Sequence, residues 1–270
     1  MAKKNKKGND SFAASRYLLN NAPFSSALKF RIEEEYRTIR ANIMFSVMKK
    51  GCKIIVVSSS NPSEGKTTTT VNLAVTVSQA NQRVLLIDGD LRKPKVHQYF
   101  SLPNAPGLTN YLSDSISGRR RADLFSVVHP TEYENLSVLC SGSIPPNPAE
   151  LLGSELMSEF LNDVSNDYDY IIIDTPPINV VSDALPLIRE SDGVVMVVRQ
   201  NQTTHPELQK ALAALEFIDA KILGFVVNSV ESKAGKYSSQ YGGKSGYGYG
   251  YGKSGYGYGY YGTRQNNSKN

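Results

Sequence analysis

Cysteine is scarce in this chain: its 270 residues contain two, Cys52 and Cys140. Each borders a strand-like run, and their placement suits neither a metal site nor a disulfide framework, which points to a reducing compartment such as the cytoplasm. Long apolar runs are also missing. No window approaches the roughly 18 uninterrupted apolar residues of a membrane-crossing helix, so no spanning segment is expected. The start, Met1-Ala2-Lys3-Lys4-Asn5-Lys6-Lys7, is basic but is followed by no apolar signal region. Apolar residues make up 40% of the whole, a little low for a globular chain. The deficit lies at the two ends, so the middle holds enough for one large α/β domain with extensions rather than two full domains.

The net charge of +5 is unevenly spread. Residues 1–10 carry four lysines and one aspartate; residues 231–270 carry five lysines, one arginine and one glutamate. The body between them is mildly acidic. A nucleic-acid groove would place its basic residues on the fold itself, so no nucleic-acid partner is expected. The basic ends suit an anionic membrane surface or an acidic partner, or serve solubility alone.

Along the chain, residues 28–50 read as a helix whose apolar stripe is Ile32, Tyr36, Ile39, Ile43 and Val47. Strands are expected at Lys53–Ser58, Arg83–Asp88, Leu136–Cys140, Tyr170–Asp174, Gly193–Val198 and Ile222–Asn228. Helices are expected from Lys66 to about Gln79 and around Ala149–Asn162, Asp183–Arg189 and Pro206–Phe217. Continuous apolar strands alternating with helices imply a mainly parallel sheet covered on both faces, with ligands beyond the carboxyl ends of the strands. From Tyr237 the composition changes. Nine of the 16 tyrosines lie between Tyr237 and Tyr261, among glycine, serine and lysine, with no aliphatic residue to build a core. A disordered tail is expected there. The division is therefore a basic extension over 1–27, a domain over 28–230 and a tail over 231–270.

Three strand ends carry the chemistry. Ser58-Ser59-Ser60-Asn61-Pro62-Ser63-Glu64-Gly65-Lys66-Thr67 ends in Gly-Lys-Thr at a strand-to-helix junction. Main-chain N–H groups there can cradle phosphate, with Lys66 reaching the β- and γ-phosphates and the Thr67 hydroxyl ligating Mg²⁺. Ser60 stands where the usual motif has its first glycine. Asp88-Gly89-Asp90 closes the next strand and Asp174-Thr175-Pro176-Pro177 a later one; carboxylates beside a phosphate loop suit Mg²⁺ and its waters. Aspartates at strand ends also cap helices, and that alternative stands beside the first for each.

Ser63-Glu64-Gly65-Lys66-Thr67, Leu85-Leu86-Ile87-Asp88-Gly89-Asp90-Leu91-Arg92-Lys93-Pro94 and Tyr170-Ile171-Ile172-Ile173-Asp174-Thr175-Pro176-Pro177 resemble the Walker A, A′ and B motifs of the bacterial tyrosine kinases. The likeness is to the Gram-positive branch, which serves capsule and exopolysaccharide assembly. It implies a P-loop NTPase-like fold and ATP-dependent transfer of phosphate to protein tyrosine, with ATP and Mg²⁺ as cofactors. Carried over by motif, ATP contacts fall on Glu64, Gly65, Lys66, Thr67, Thr68 and Asn228, the last as an adenine contact or only a turn cap. Magnesium falls to Thr67, Asp88, Asp90 and Asp174, and catalysis to Lys66, Asp88 and Asp90, with Asp88 taken as the base and Asp90 as the alternative to it. Arg92 and Lys93 touch phosphate or a partner, or are a solvated pair. The acceptors would be Tyr247, Tyr249, Tyr251, Tyr256, Tyr258, Tyr260 and Tyr261. Glu34, Arg37 and Arg40 resemble the motif with which these kinases close a ring, in which each tail reaches a neighbour's site. The resemblance further implies a membrane adaptor whose cytoplasmic tail activates the kinase at the inner face of the plasma membrane, and polysaccharide-assembly proteins as substrates.

A different class competes: the deviant-Walker ATPases of plasmid partition and septum placement. They need a second lysine five residues before the Walker lysine, and that position here is Asn61. They also leave the tyrosine tail without a role. A Gly-Tyr tail as a stacking segment for RNA or condensation is a third reading.

Overall fold

The computed structural model describes residues 24–116 and 124–230. Seven strands form one sheet: β1 (Lys53–Ser59), β2 (Val84–Asp88), β3 (Val128–Pro130), β4 (Leu136–Leu139), β5 (Tyr170–Asp174), β6 (Gly193–Arg199) and β7 (Ile222–Asn228). Their spatial order is β3-β4-β2-β5-β1-β6-β7, and every pairing is parallel except that of β3 with β4.

Helices cover both faces, which is why the strands read as continuous apolar runs. Ile55, Val57, Leu86 and Ile172 turn to one face, into a core with α1 (Ser26–Ser46), α2 (Lys66–Ser78) and the short α3 (Val96–Tyr99). Val56, Leu85, Ile87, Ile171 and Ile173 turn to the other. That core is closed by α4 (Leu108–Ile116), α6 (Glu155–Val164), α7 (Ala184–Arg189) and α8 (His205–Phe217).

The expected helix over 28–50 runs from Ser26 to Ser46. Ser25 caps its start by accepting from Leu28 N, and the Lys221 ammonium holds its last carbonyls by donating to Ser46 O at 2.8 Å. The expected helix over 149–162 is two, α5 (Pro148–Leu152) and α6. The break falls at Gly153-Ser154, where the Ser154 hydroxyl caps α6 by accepting from Met157 N at 3.3 Å. The antiparallel edge strand β3 and helices α3 and α4 are additions to the sequence expectation. The expected tail and residues 1–23 of the expected extension over 1–27 lie outside the described residues.

The sheet aligns the motifs. Asp174 pairs in register with Val57 of β1 on one side and Asp88 of β2 on the other. The order in which strands are added reverses around β1, since β2 lies on one side and β6 and β7 on the other. The crevice beyond the carboxyl ends at such a point is where open α/β sheets bind ligands.

Candidate active site

The phosphate loop begins where β1 ends and closes on Gly65, the residue before α2. Gly65 has φ +94°, and a Cβ placed there would lie 1.9 Å from Asn228 Nδ2. Only glycine fits both the backbone and the space. Asn228, expected as an adenine contact or a cap, donates from Nδ2 to Glu64 O at 3.1 Å and thus steadies the loop. Glu64, expected at ATP, is buried and turned behind the loop. Its carboxylate accepts from Asn61 N at 3.0 Å and from the Thr203 hydroxyl at 2.6 Å. Arg199 adds a bond to Ser63 O at 2.9 Å. Arg199 and Thr203 lie in and after β6, far from any motif, so only the fold could reveal this brace.

In front of the loop a cavity of about 400 Å³ is lined by Gly65, Lys66, Thr67, Thr68, Asp90 and Arg92, with Pro176, Pro177, Val180 and Val181 opposite. The Lys66 ammonium sits between two carboxylates, 3.0 Å from Asp90 Oδ2 and 3.4 Å from Asp174 Oδ2. Thr67 donates to Asp174 Oδ2 at 2.7 Å and Thr70 to Oδ1 at 3.1 Å. Burial alone would lower the pKa of Lys66, but Asp174 and Asp90 beside it outweigh burial and hold it above the ordinary lysine range. Asp174 is raised by its own burial, against the pull of Lys66.

The two aspartates of the A′ segment are placed differently. Asp88 is fully buried, and its oxygens accept main-chain N–H bonds from Asp90 at 3.2 Å, Lys95 at 3.0 Å and Val96 at 2.9 Å. It therefore does shape the turn into α3, the capping role the sequence left open. Burial and the neighbouring Asp174 nonetheless push its carboxyl up to about 7. Asp90 faces the cavity, meeting Lys66 with one oxygen and accepting from Lys93 N at 3.0 Å with the other.

Two further features join these loops. Arg92, left open as a phosphate contact or a solvated residue, pairs with Asp183 through Nε at 2.6 Å and Nη2 at 3.1 Å. Asp183 is buried, so this bidentate pair fastens the loop after β2 to the loop after β5. Thr68 shares a 2.7 Å hydrogen bond with the Tyr99 hydroxyl at the other wall. Lys93 lies exposed on the rim.

On α1, Glu34 and Arg37 form an exposed ion pair. Arg40 turns inward and donates to Thr76 O on α2 at 2.8 Å. The tyrosines of the tail lie outside the described residues.

Among the described residues no group of three or more His, Cys, Asp or Glu side chains forms a protein-only metal cage. Magnesium does not need one: it takes one or two carboxylates, keeps waters and completes its shell on phosphate. Asp90, Asp174 and the Thr67 hydroxyl, gathered round the Lys66 ammonium, are a donor set of that kind.

Comparisons with known proteins identify the family. Residues 52–223 match the family of AAA domains. The chain is 42% identical over 215 residues to the tyrosine-protein kinase YwqD of Bacillus subtilis, covering 79% of this chain and 88% of that one. The crystal structure of the chimerical protein CapA2B2 superposes with a TM-score of 0.72 at 37% identity, over 81% of this chain and 91% of the other. The septum site-determining protein MinD of Pyrococcus horikoshii, complexed with Mg-ADP, shares the fold alone. It reaches a TM-score of 0.53 at 24% identity, over 65% of this chain and 70% of the other. The likeness to the septum ATPase is thus distant. With the phosphate loop, the paired A′ aspartates and Asp174 in one crevice, this chain belongs to the nucleotide-using P-loop family of bacterial tyrosine kinases.

Proposed function

We propose that the protein transfers the γ-phosphoryl group of ATP to tyrosines of its own tail, with Tyr247, Tyr249, Tyr251, Tyr256, Tyr258, Tyr260 and Tyr261 as acceptors. The observation that carries this reading is the cavity between the phosphate loop and the Asp88–Asp90 segment. A phosphate cradle, the Lys66 ammonium and the Asp90 carboxylate face one small volume there. Main-chain N–H groups from Gly65 to Thr68 would hold the phosphates at the start of α2, where the helix dipole favours anions.

Free tyrosine has a pKa near 10 and is a weak nucleophile at neutral pH unless a carboxylate takes its proton. The phenol oxygen bonds to the γ-phosphorus. The bond to the β–γ bridging oxygen breaks, its electron pair leaves with ADP, and the phenol proton passes to the aspartate pair. Asp90 is the member facing the cavity, and Asp88 fixes its loop. Asp90, Asp174 and Thr67 would hold Mg²⁺, which would supply positive charge against the transferred phosphoryl group. Lys66, now spanning the same carboxylates, would turn to the phosphates. Asn228, at the β7 end of the crevice, is our candidate for an adenine contact.

Beyond the site, we assign Glu34, Arg37 and Arg40 to a ring of subunits in which one tail enters a neighbour's cavity. Among the described residues no helix is long and apolar enough to cross a membrane. We place the protein at the inner face of the plasma membrane through an adaptor whose cytoplasmic tail activates it. Its further substrates would be proteins of capsule or exopolysaccharide assembly.

The test is incubation of the purified protein and its Lys66→Met variant with labelled ATP and Mg²⁺, with and without an adaptor tail, followed by phosphosite mapping. Wild type should label the seven tyrosines and the variant should fall by at least about a hundredfold. A variant labelling its own tyrosines at a comparable rate would overturn the site assignment.

A further inference from the structure

One wall of the cavity has no use in handling phosphate. Pro176, Pro177, Val180 and Val181 follow Asp174 directly and line the same volume as Lys66 and Asp90. Val180 is 56% exposed, an unusual setting for valine beside ionised groups. The shelf is nonetheless rigidly built. Ser58 donates to Pro176 O at 2.9 Å, and Thr175 through its hydroxyl to Val57 O at 3.0 Å. Ile178 N bonds to Ser59 O at 2.9 Å and Asn179 N to Ser60 O at 3.2 Å. The Arg92–Asp183 pair ties its far end to the A′ loop. An apolar surface held this firmly at a polar site is the form of a preorganised seat for an apolar group.

A nucleotide base is an unsuitable occupant. The loop after β5 and Asn228 at the end of β7 lie on opposite sides of β1, which carries the phosphate loop. A base drawn toward Asn228 therefore points away from the shelf. The remaining apolar group in the reaction is the ring of the acceptor.

We infer that Pro177, Val180 and Val181 form the seat for the phenol ring of the acceptor tyrosine. This inference rests on the kinase reading above and deepens it. The occupant is the stretch 246–262 of this chain, in which each of the seven tyrosines has glycine on at least one side. Glycine neighbours carry no side chain to collide with the Arg92–Lys93 rim, so the backbone can approach and the ring can reach down to Asp90. The shelf thus selects aromatic acceptors with small neighbours over serine or threonine, whose short side chains would leave it uncovered.

The test separates ring binding from chemistry. The probe is a fluorescent synthetic peptide of residues 246–262 with every tyrosine replaced by phenylalanine. Its affinity is measured for the full chain with a non-hydrolysable ATP analogue and Mg²⁺. Val180→Ser should weaken the peptide about five- to tenfold, the effect of removing methyl groups from an apolar seat. Val180→Ile should restore it, and nucleotide affinity should stay within twofold in both variants. With the tyrosine peptide, KM should rise in parallel in Val180→Ser while kcat changes little. Peptide affinity within twofold of wild type in Val180→Ser would overturn the seat, as would an equal loss of nucleotide affinity. Because the phenylalanine peptide binds without reacting, a shift in its affinity supports the seat even in a protein that transfers no phosphate, and the two failures stay distinct.

Discussion

Tyr36 illustrates how a residue in the apolar stripe of a helix can carry a polar task. Its ring follows the stripe toward α2, and its hydroxyl meets the side chains of Thr69 and Asn72 there. Burial outweighs those hydrogen bonds and pushes the phenol up to about 12 from an ordinary 10. The sign follows directly. The folded state holds this proton more tightly than the unfolded chain, so the contribution is complete below pH 10 and is lost as pH climbs toward 12. Tyr36→Phe should cost about 1 kcal/mol in urea unfolding at pH 8, where Thr69 and Asn72 lose a partner. The gap to wild type should narrow by about 1 kcal/mol by pH 11. A gap independent of pH would mean that the hydroxyl is not held in the interior.

At the scale of elements, α1 both packs and presents. Ile43, and Val47 just past its end, bury in the core it shares with α2, while Phe45 stays exposed. Its charged residues divide in a way the sequence did not show: Arg40 is spent partly on Thr76 O within the same chain, leaving the Glu34–Arg37 pair outward. Alanine at Glu34, Arg37 and Arg40 together should convert a concentration-dependent, Mg²⁺-favoured oligomer into monomers in light scattering. Nucleotide affinity should be kept, with most self-labelling lost. Wild type that stays monomeric at tens of micromolar, yet is fully active on its own tail, would contradict the ring.

The strands were legible because β1, β2, β5 and β6 are buried on both faces, and burial writes itself as uninterrupted Ile, Val and Leu. Edge strand β3, with His129 and Pro130 in three residues, writes no such signal. The ends of the strands were legible because phosphate chemistry requires a particular glycine and carboxylates there. What supports them was not. Asp183 under Arg92 and Thr203 under Glu64 are 91 and 139 residues away from their partners, distances that only folding closes.

For the molecule as a whole, a nucleotide site and a tyrosine-rich tail share one chain. Among the described residues every strand ends by Asn228, and residues 236–270 contain no aliphatic side chain that could build a core. Melting temperature and ATP affinity of the shortened chain should therefore stay close to those of the full chain. Lys66→Met, in contrast, leaves Asp90 and Asp174 without the cation between them and should lower the melting temperature of the nucleotide-free protein while the fold is kept. The measurement that tests the central claim most directly mixes these two proteins. The shortened enzyme is incubated with full-length Lys66→Met chain, labelled ATP and Mg²⁺, and the labelled residues are mapped. The account predicts label on the Lys66→Met chain at Tyr247 to Tyr261, and almost none on the shortened enzyme. A shortened enzyme that labels its own body as strongly as the full chain does, while the Lys66→Met tail stays bare, would contradict it.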